Sequence, residues 1–119
     1  MSDLEERLRL YFNALNAFDL KKVERMFAED AVYVSSGLSE RKLGRANIIV
    51  SFKTYFEEFA DQVSVDDNIK LIGPSTFSSD WSLRTTSIKT GKLSERAGTQ
   101  VTTFNEAGLI AYVEVRDQT

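Results

Sequence analysis

The chain has 119 residues, 42% of them hydrophobic, which suits one domain spanning 1–119 around a single core. Its formal charge is −3, and its densest basic group, Arg41, Lys42 and Arg45, is too small for a phosphate-backbone footprint, so no nucleic-acid partner is expected. It has no cysteine and no histidine, which excludes disulfides, zinc–thiolate sites, Ser-His-Asp and Cys-His chemistry, and the commonest general base near neutral pH.

A first helix is predicted over 3–18, where Leu4, Leu8, Tyr11 and Leu15 recur at helical spacing beside Phe12 and Phe18. Asp19 reads as the N-cap of a second helix, LKKVERMFAED, over 20–30. A strand over 31–36 follows, then a polar loop, GLSERKLGR, with two glycines. The third helix, 45–59, carries Ile48, Ile49, Phe52, Tyr55, Phe56 and Phe59, the most aromatic surface in the chain.

Beyond Ala60 the apolar period falls to two. QVSVDDNIKLIG sets Val63, Val65, Ile69 and Leu71 on one parity, and STFSSDWSLRTTSI does the same with Phe77, Trp81 and Leu83. KTGK (89–92) and NEAG (105–108) are turn signals that bound the last strands, LSERAGTQVTTF and LIAYVEVRD. Helix, helix, strand, helix and then four strands joined by short turns is an α+β order. It predicts three N-terminal helices packed in the concave face of a strongly curved, mostly antiparallel sheet, cone-like in shape. Gly98 is expected at a bulge or bend that helps the curvature. No apolar run approaches a membrane span and no signal peptide is evident, so a cytoplasmic protein without membrane contact is expected.

YFNALNAFDLKKVERMFAEDAVYV, LGRANI and TQVTTFNEAGLIAYVEV, in that order and at that spacing, resemble the SnoaL-like and ketosteroid-isomerase-like branch of the nuclear transport factor 2-like fold. The resemblance implies a cystatin-like topology and, in a bacterial protein, homodimers that pair through the convex sheet face, here Tyr112, Glu114 and Arg116. It also implies a hydrophobic pocket between helices one and three and the concave sheet face. The candidate lining is Tyr11, Leu15, Tyr33, Ser35, Phe52, Phe56, Trp81, Leu83, Gln100 and Val113.

Carried over residue by residue, the isomerases' oxyanion tyrosine falls on Tyr11, and their neutral carboxylic acid on Gln100, whose amide still donates a hydrogen bond. Their general base falls on Ser35, which takes no proton without a base of its own, so the isomerase mechanism is not expected. The epoxide hydrolases' Asp-Arg-Asp relay finds no matching positions. Candidates for a nonstandard catalytic role are Tyr11 with Asp117, or Asp30. Asp117 reads equally as the solvent-exposed end of the last strand. Asp66 and Asp67 read as a solvated bulge or turn, since nothing nearby completes a ligand set; no metal and no cofactor is expected. The leading expectation is a binder of a small apolar molecule. A divergent isomerase- or cyclase-type enzyme acting on a small apolar carbonyl compound is the alternative, and a dimeric accessory module without a ligand is a third.

Overall fold

The computed structural model describes residues 3–35 and 41–117. Ser2, Ser36 and the first part of the glycine-containing loop lie outside the described residues. In chain order the elements are α1 (Asp3–Asn16), α2 (Leu20–Met26), β1 (Phe27–Ser35), β2 (Lys42–Leu43), α3 (Arg45–Glu58), β3 (Val63–Leu71), β4 (Thr76–Thr86), β5 (Leu93–Phe104) and β6 (Ile110–Asp117).

The strands form one six-stranded sheet in the order β2-β1-β6-β5-β4-β3. Every pairing is antiparallel except β1 with β6. β4 and β5, at 11 and 12 residues, are long enough to coil the sheet around the helices. The core lies between them: Leu8, Tyr11 and Phe12 of α1, Val23 of α2 and Ile48 of α3 meet Phe77, Phe104, Ile110 and Val113 of the sheet.

Local chemistry explains most boundaries. Asp19 caps α2 as expected, its carboxylate accepting from the Lys22 N–H at 3.2 Å. The Asn105 side chain accepts from the Ala107 and Leu109 N–H groups, and Gly108, at φ 78°, completes the β5–β6 turn.

The second helix is shorter than its pattern. It ends at Met26, and Phe27 is already extended (φ −94°, ψ 142°), pairing with Ile110 of β6. The Phe27 ring is fully buried, edge-on to Tyr11 at 5.6 Å and 6.3 Å from Phe52. Burying that ring from a strand outweighs the helical propensity of MFAED. The register of β1 on β6 slips between Phe27 and Val32, and Glu29 and Asp30 are exposed there. The expected polar loop contributes the short β2, which pairs with Val32 and Tyr33.

Two further expectations change. Gly98 is not at a bulge: the β4–β5 register runs unbroken through Trp81↔Gly98. A Cβ there would lie 1.9 Å from the Arg116 carbonyl oxygen and 2.9 Å from Cζ2 of Trp81. The position needs a missing side chain because neighbouring backbone and an indole press onto it. The bulge sits instead in β3, between Asp67 and Lys70, with Asn68 in the left-handed region at φ 51°. It reverses the parity of the strand. Before it Ser64 and Asp66 face inward opposite Leu83 and Trp81, leaving Val63 and Val65 on the outer face, 62% and 57% exposed. After it, Ile69 packs against the core.

β3 is one of the two edge strands, and its free edge is met by a side chain of α1. The Asn16 amide accepts the Ser64 N–H at 3.0 Å and donates to the Ser64 carbonyl at 2.8 Å, as a neighbouring strand would. Asn16→Ala is expected to cost about 1 kcal/mol, the usual net worth of such hydrogen bonds. Amide exchange at Ser64 should accelerate with it. Unchanged exchange there would remove the strand-like role of Asn16.

Candidate functional site

A hollow of about 220 Å³ opens between α1, α3 and the concave sheet face. α1 contributes Tyr11, Phe12 and Leu15, and α3 contributes Ile48, Ser51, Phe52, Tyr55 and Phe56. Those positions recur three and four apart, so one face of each helix is presented. Inward positions of the strands supply the floor: Tyr33 and Ser35 from β1, Ser64 and Asp66 from β3, Trp81 and Leu83 from β4, Arg96 and Gln100 from β5, and Val115 from β6. Gln62, just ahead of β3, completes it. Phe52 stacks on Phe56 at 6.1 Å and meets Tyr33 edge-on at 5.3 Å, which makes the helical wall aromatic.

The charged groups of the lining, Asp66 and Arg96, come from β3 and β5. Gln100 Nε2 donates to Asp66 Oδ1 at 2.8 Å. Burial pushes the Asp66 carboxyl up to about 6, the charge of Asp67 adds to the rise, and the Gln100 hydrogen bond acts against both. Asp66 is thus a half-buried acid that holds its proton to nearly neutral pH. Burial also raises the Tyr11 and Tyr33 phenols, and the negative charge of Asp66 adds to both shifts. Both are therefore neutral donors at physiological pH. Neither hydroxyl makes a hydrogen bond among the described residues.

Trp81 lies against Gly98 and donates its indole N–H to the Thr99 carbonyl at 3.0 Å. The Arg96 guanidinium sits over that indole at 5.8 Å and donates from Nε to Asp117 Oδ2 at 2.9 Å. Asp117 therefore meets Arg96, and the hollow is lined by the arginine rather than by Asp117.

Of the residues expected along the pocket, Tyr11, Leu15, Tyr33, Ser35, Phe52, Phe56, Trp81, Leu83 and Gln100 line the hollow together. Val113 does not: it is fully buried in the core, and Val115 takes the lining position two residues on. Asp30 is exposed on the irregular part of β1, away from the hollow. The Gln100 amide is engaged with Asp66, leaving one of its two N–H bonds for anything else. Asp66, expected in a solvated bulge, is in the hollow, while the bulge begins beside it at Asp67. The sequence did hold a signal for this. An Asn inside a strand tolerates left-handed backbone, which marks a bulge and hence a change of parity.

On the outer face, Tyr112 donates to Glu114 at 2.9 Å and Arg116 Nε donates to the same carboxylate at 2.6 Å, so these three form one chain of bonds. Among the described residues, no helix is long and apolar enough to cross a membrane.

No curated protein matches the sequence. Solved structures match the fold along nearly its whole length. The epoxide hydrolase/cyclase-like enzyme SalBIII, of pyran ring formation in the polyether salinomycin, is 18% identical with a TM-score of 0.86, covering 98% of this chain and 91% of its own. The Mycobacterium tuberculosis protein RV0760c, in complex with estradiol-17β-hemisuccinate, is 18% identical with a TM-score of 0.84, covering 97% and 93%. An NTF2-like protein of unknown function from Burkholderia pseudomallei is 19% identical with a TM-score of 0.84, covering 99% and 92%. Other matches are described as ketosteroid isomerase-like and as having a cystatin-like fold. At these identities the likeness concerns fold alone. The family model of the SnoaL-like domain matches residues 8–113, and the chain belongs to that family.

Proposed function

We propose that the hollow binds a small, largely apolar molecule bearing an oxygen acceptor, with Tyr11 and Tyr33 as donors to that oxygen. The carrying observation is an aromatic-walled hollow whose Tyr11 and Tyr33 phenols have no hydrogen-bond partner among the described residues and stand within electrostatic reach of a half-buried carboxyl. At about 220 Å³ it is smaller than the ~300–1,000 Å³ of sites for drug-sized ligands, which points to a compact ring compound. By the resemblance Ser35 falls where the isomerases carry their base, and no basic partner is seen for it among the described residues, which speaks against turnover by that route.

Asp66 favours a second reading, proton transfer. A carboxyl with a pKa of about 6 is divided between acid and base near neutrality, which suits either role. Two neutral phenols nearby would stabilise charge developing on a carbonyl or epoxide oxygen. SalBIII, described as epoxide hydrolase/cyclase-like, is an enzyme, and RV0760c carries a steroid ester, so the fold accommodates both readings. The outer face, with Tyr112, Glu114, Arg116 and the exposed Val63 and Val65, is the surface we assign to a second copy of the chain.

Native mass spectrometry on protein purified gently from its own host tests the bound ligand and the paired outer face together. The expected spectrum is a dimer carrying a discrete extra mass, retained about tenfold less by Tyr11→Phe, the loss of one hydrogen bond to a ligand. Equal retention by the variant would remove Tyr11 as a donor. A monomer would remove the paired outer face.

A further inference from the structure

We infer that Arg96 is a receptor for an acidic group, so that the ligand of the hollow is a small apolar carboxylic acid; this rests on the pocket proposed above. Arg96 is the cationic side chain in the lining. Its side chain is 39% exposed, so it stands where the hollow meets solvent and not at the closed end.

The guanidinium is fixed on two sides. Nε and Nη2 both donate to a single oxygen of Asp117, and the plane rests over the Trp81 indole. Trp81 is itself anchored to the Thr99 carbonyl and pressed onto Gly98. This leaves Nη1 without a hydrogen bond among the described residues. A guanidinium carries five N–H donors in a rigid fork, and a carboxylate is the group that fits the unused edge. The positive charge reaches the Tyr33 and Tyr55 phenols, where it acts to lower both pKa values, so it is felt inside the hollow.

Asp117 does not cancel this role. One carboxylate leaves donors over, and an arginine held by one acid is already ordered before a second arrives. The apolar remainder of the ligand would then extend along Trp81, Leu83 and Phe56 toward Asp66.

The test compares 1-naphthaleneacetic acid with its methyl ester as probes, by calorimetry at pH 7.5. The acid is expected to bind on the order of tenfold more tightly than the ester, the low end for a charge-assisted hydrogen bond at a half-exposed group. The Arg96→Met/Asp117→Asn double variant, which removes both charges together, should lose the preference for the acid over the ester. Should that variant fold poorly, the wild type still decides: raising salt from 50 to 500 mM should weaken the acid several-fold and leave the ester alone. Equal binding of acid and ester, or a preference that survives the double variant, overturns the inference and leaves the pocket standing. If neither probe binds while the host-purified protein carries a neutral ligand, the acid receptor is again excluded. If neither binds and no mass is carried, the pocket reading falls with it.

Discussion

Gly98→Ala is expected to lower the melting temperature by about 10 °C. The added carbon would lie 1.9 Å from the Arg116 carbonyl oxygen, which belongs to the backbone and cannot rotate away, and 2.9 Å from Trp81. Either the β5–β6 pairing at Gly98↔Asp117 opens or the indole tilts off its seat. Overpacking of this kind costs about 3 kcal/mol at the upper end of its usual range, which corresponds to roughly 10 °C for a domain of this size. The position where the same change should be harmless is Gly73, where a Cβ meets Thr76 at an ordinary 3.5 Å. Thermal unfolding of both variants checks the contrast, and equal melting temperatures would refute it. A folded remnant of Gly98→Ala should also lose the Arg96 preference, because the arginine rests on Trp81.

Asp66→Asn is expected to stabilise the protein above pH 6. In the folded protein the Asp66 pKa is about 6, above its ordinary 3.8. The folded state therefore holds this proton more tightly than the unfolded chain does. The associated stability is fully present below about pH 4 and is lost as pH rises through about 6. At pH 7.5 the wild type carries an ionised carboxylate where burial disfavours it. Asn keeps an oxygen for the Gln100 amide and has no charge to bury. A shift of this size is worth about 3 kcal/mol without screening; partial exposure to solvent brings the expected gain to about 2 kcal/mol. Urea unfolding of the two proteins from pH 4 to pH 8 should give curves that meet at low pH and separate above it. A variant less stable than wild type at pH 7.5 would remove the strained carboxyl from the account. If Asp66 also transfers a proton, the same substitution should lower turnover by about 10²–10⁴-fold. Stability gained where function is lost is the usual sign of a working site.

The architecture was legible because its signals are local and mutually consistent. Helical stripes at Leu8, Tyr11 and Ile48, the Asp19 cap and the Asn105 turn all point the same way. The pocket was legible where parity ran unbroken, as along β4, where Phe77, Trp81 and Leu83 share the inward face. Where parity changed, the reading failed. In β3 the apolar residues on one parity are divided between two faces, so Val63 and Val65 point out and the polar Ser64 and Asp66 point in. Val113 was misplaced for another reason: it shares its face with Val115 but sits deeper under the helices, and depth along a strand leaves no trace in alternation. Arg96 was invisible because an arginine at a strand's inward position reads as an error until its partner Asp117 is known to stand beside it.

The one-residue bulge in β3 has an evolutionary consequence. Strand pairing continues on either side of it, so the sheet accommodates the extra residue between Asp67 and Lys70 without losing that outer strand. Moving it ahead of Val63 would turn the valines into the hollow and Asp66 out to solvent, with none of these residues substituted. A descendant could thus exchange a proton-bearing wall for a greasy one through a single insertion paired with a single deletion. In this fold, chemistry can be inherited through the phase of a strand as well as through the identity of its residues.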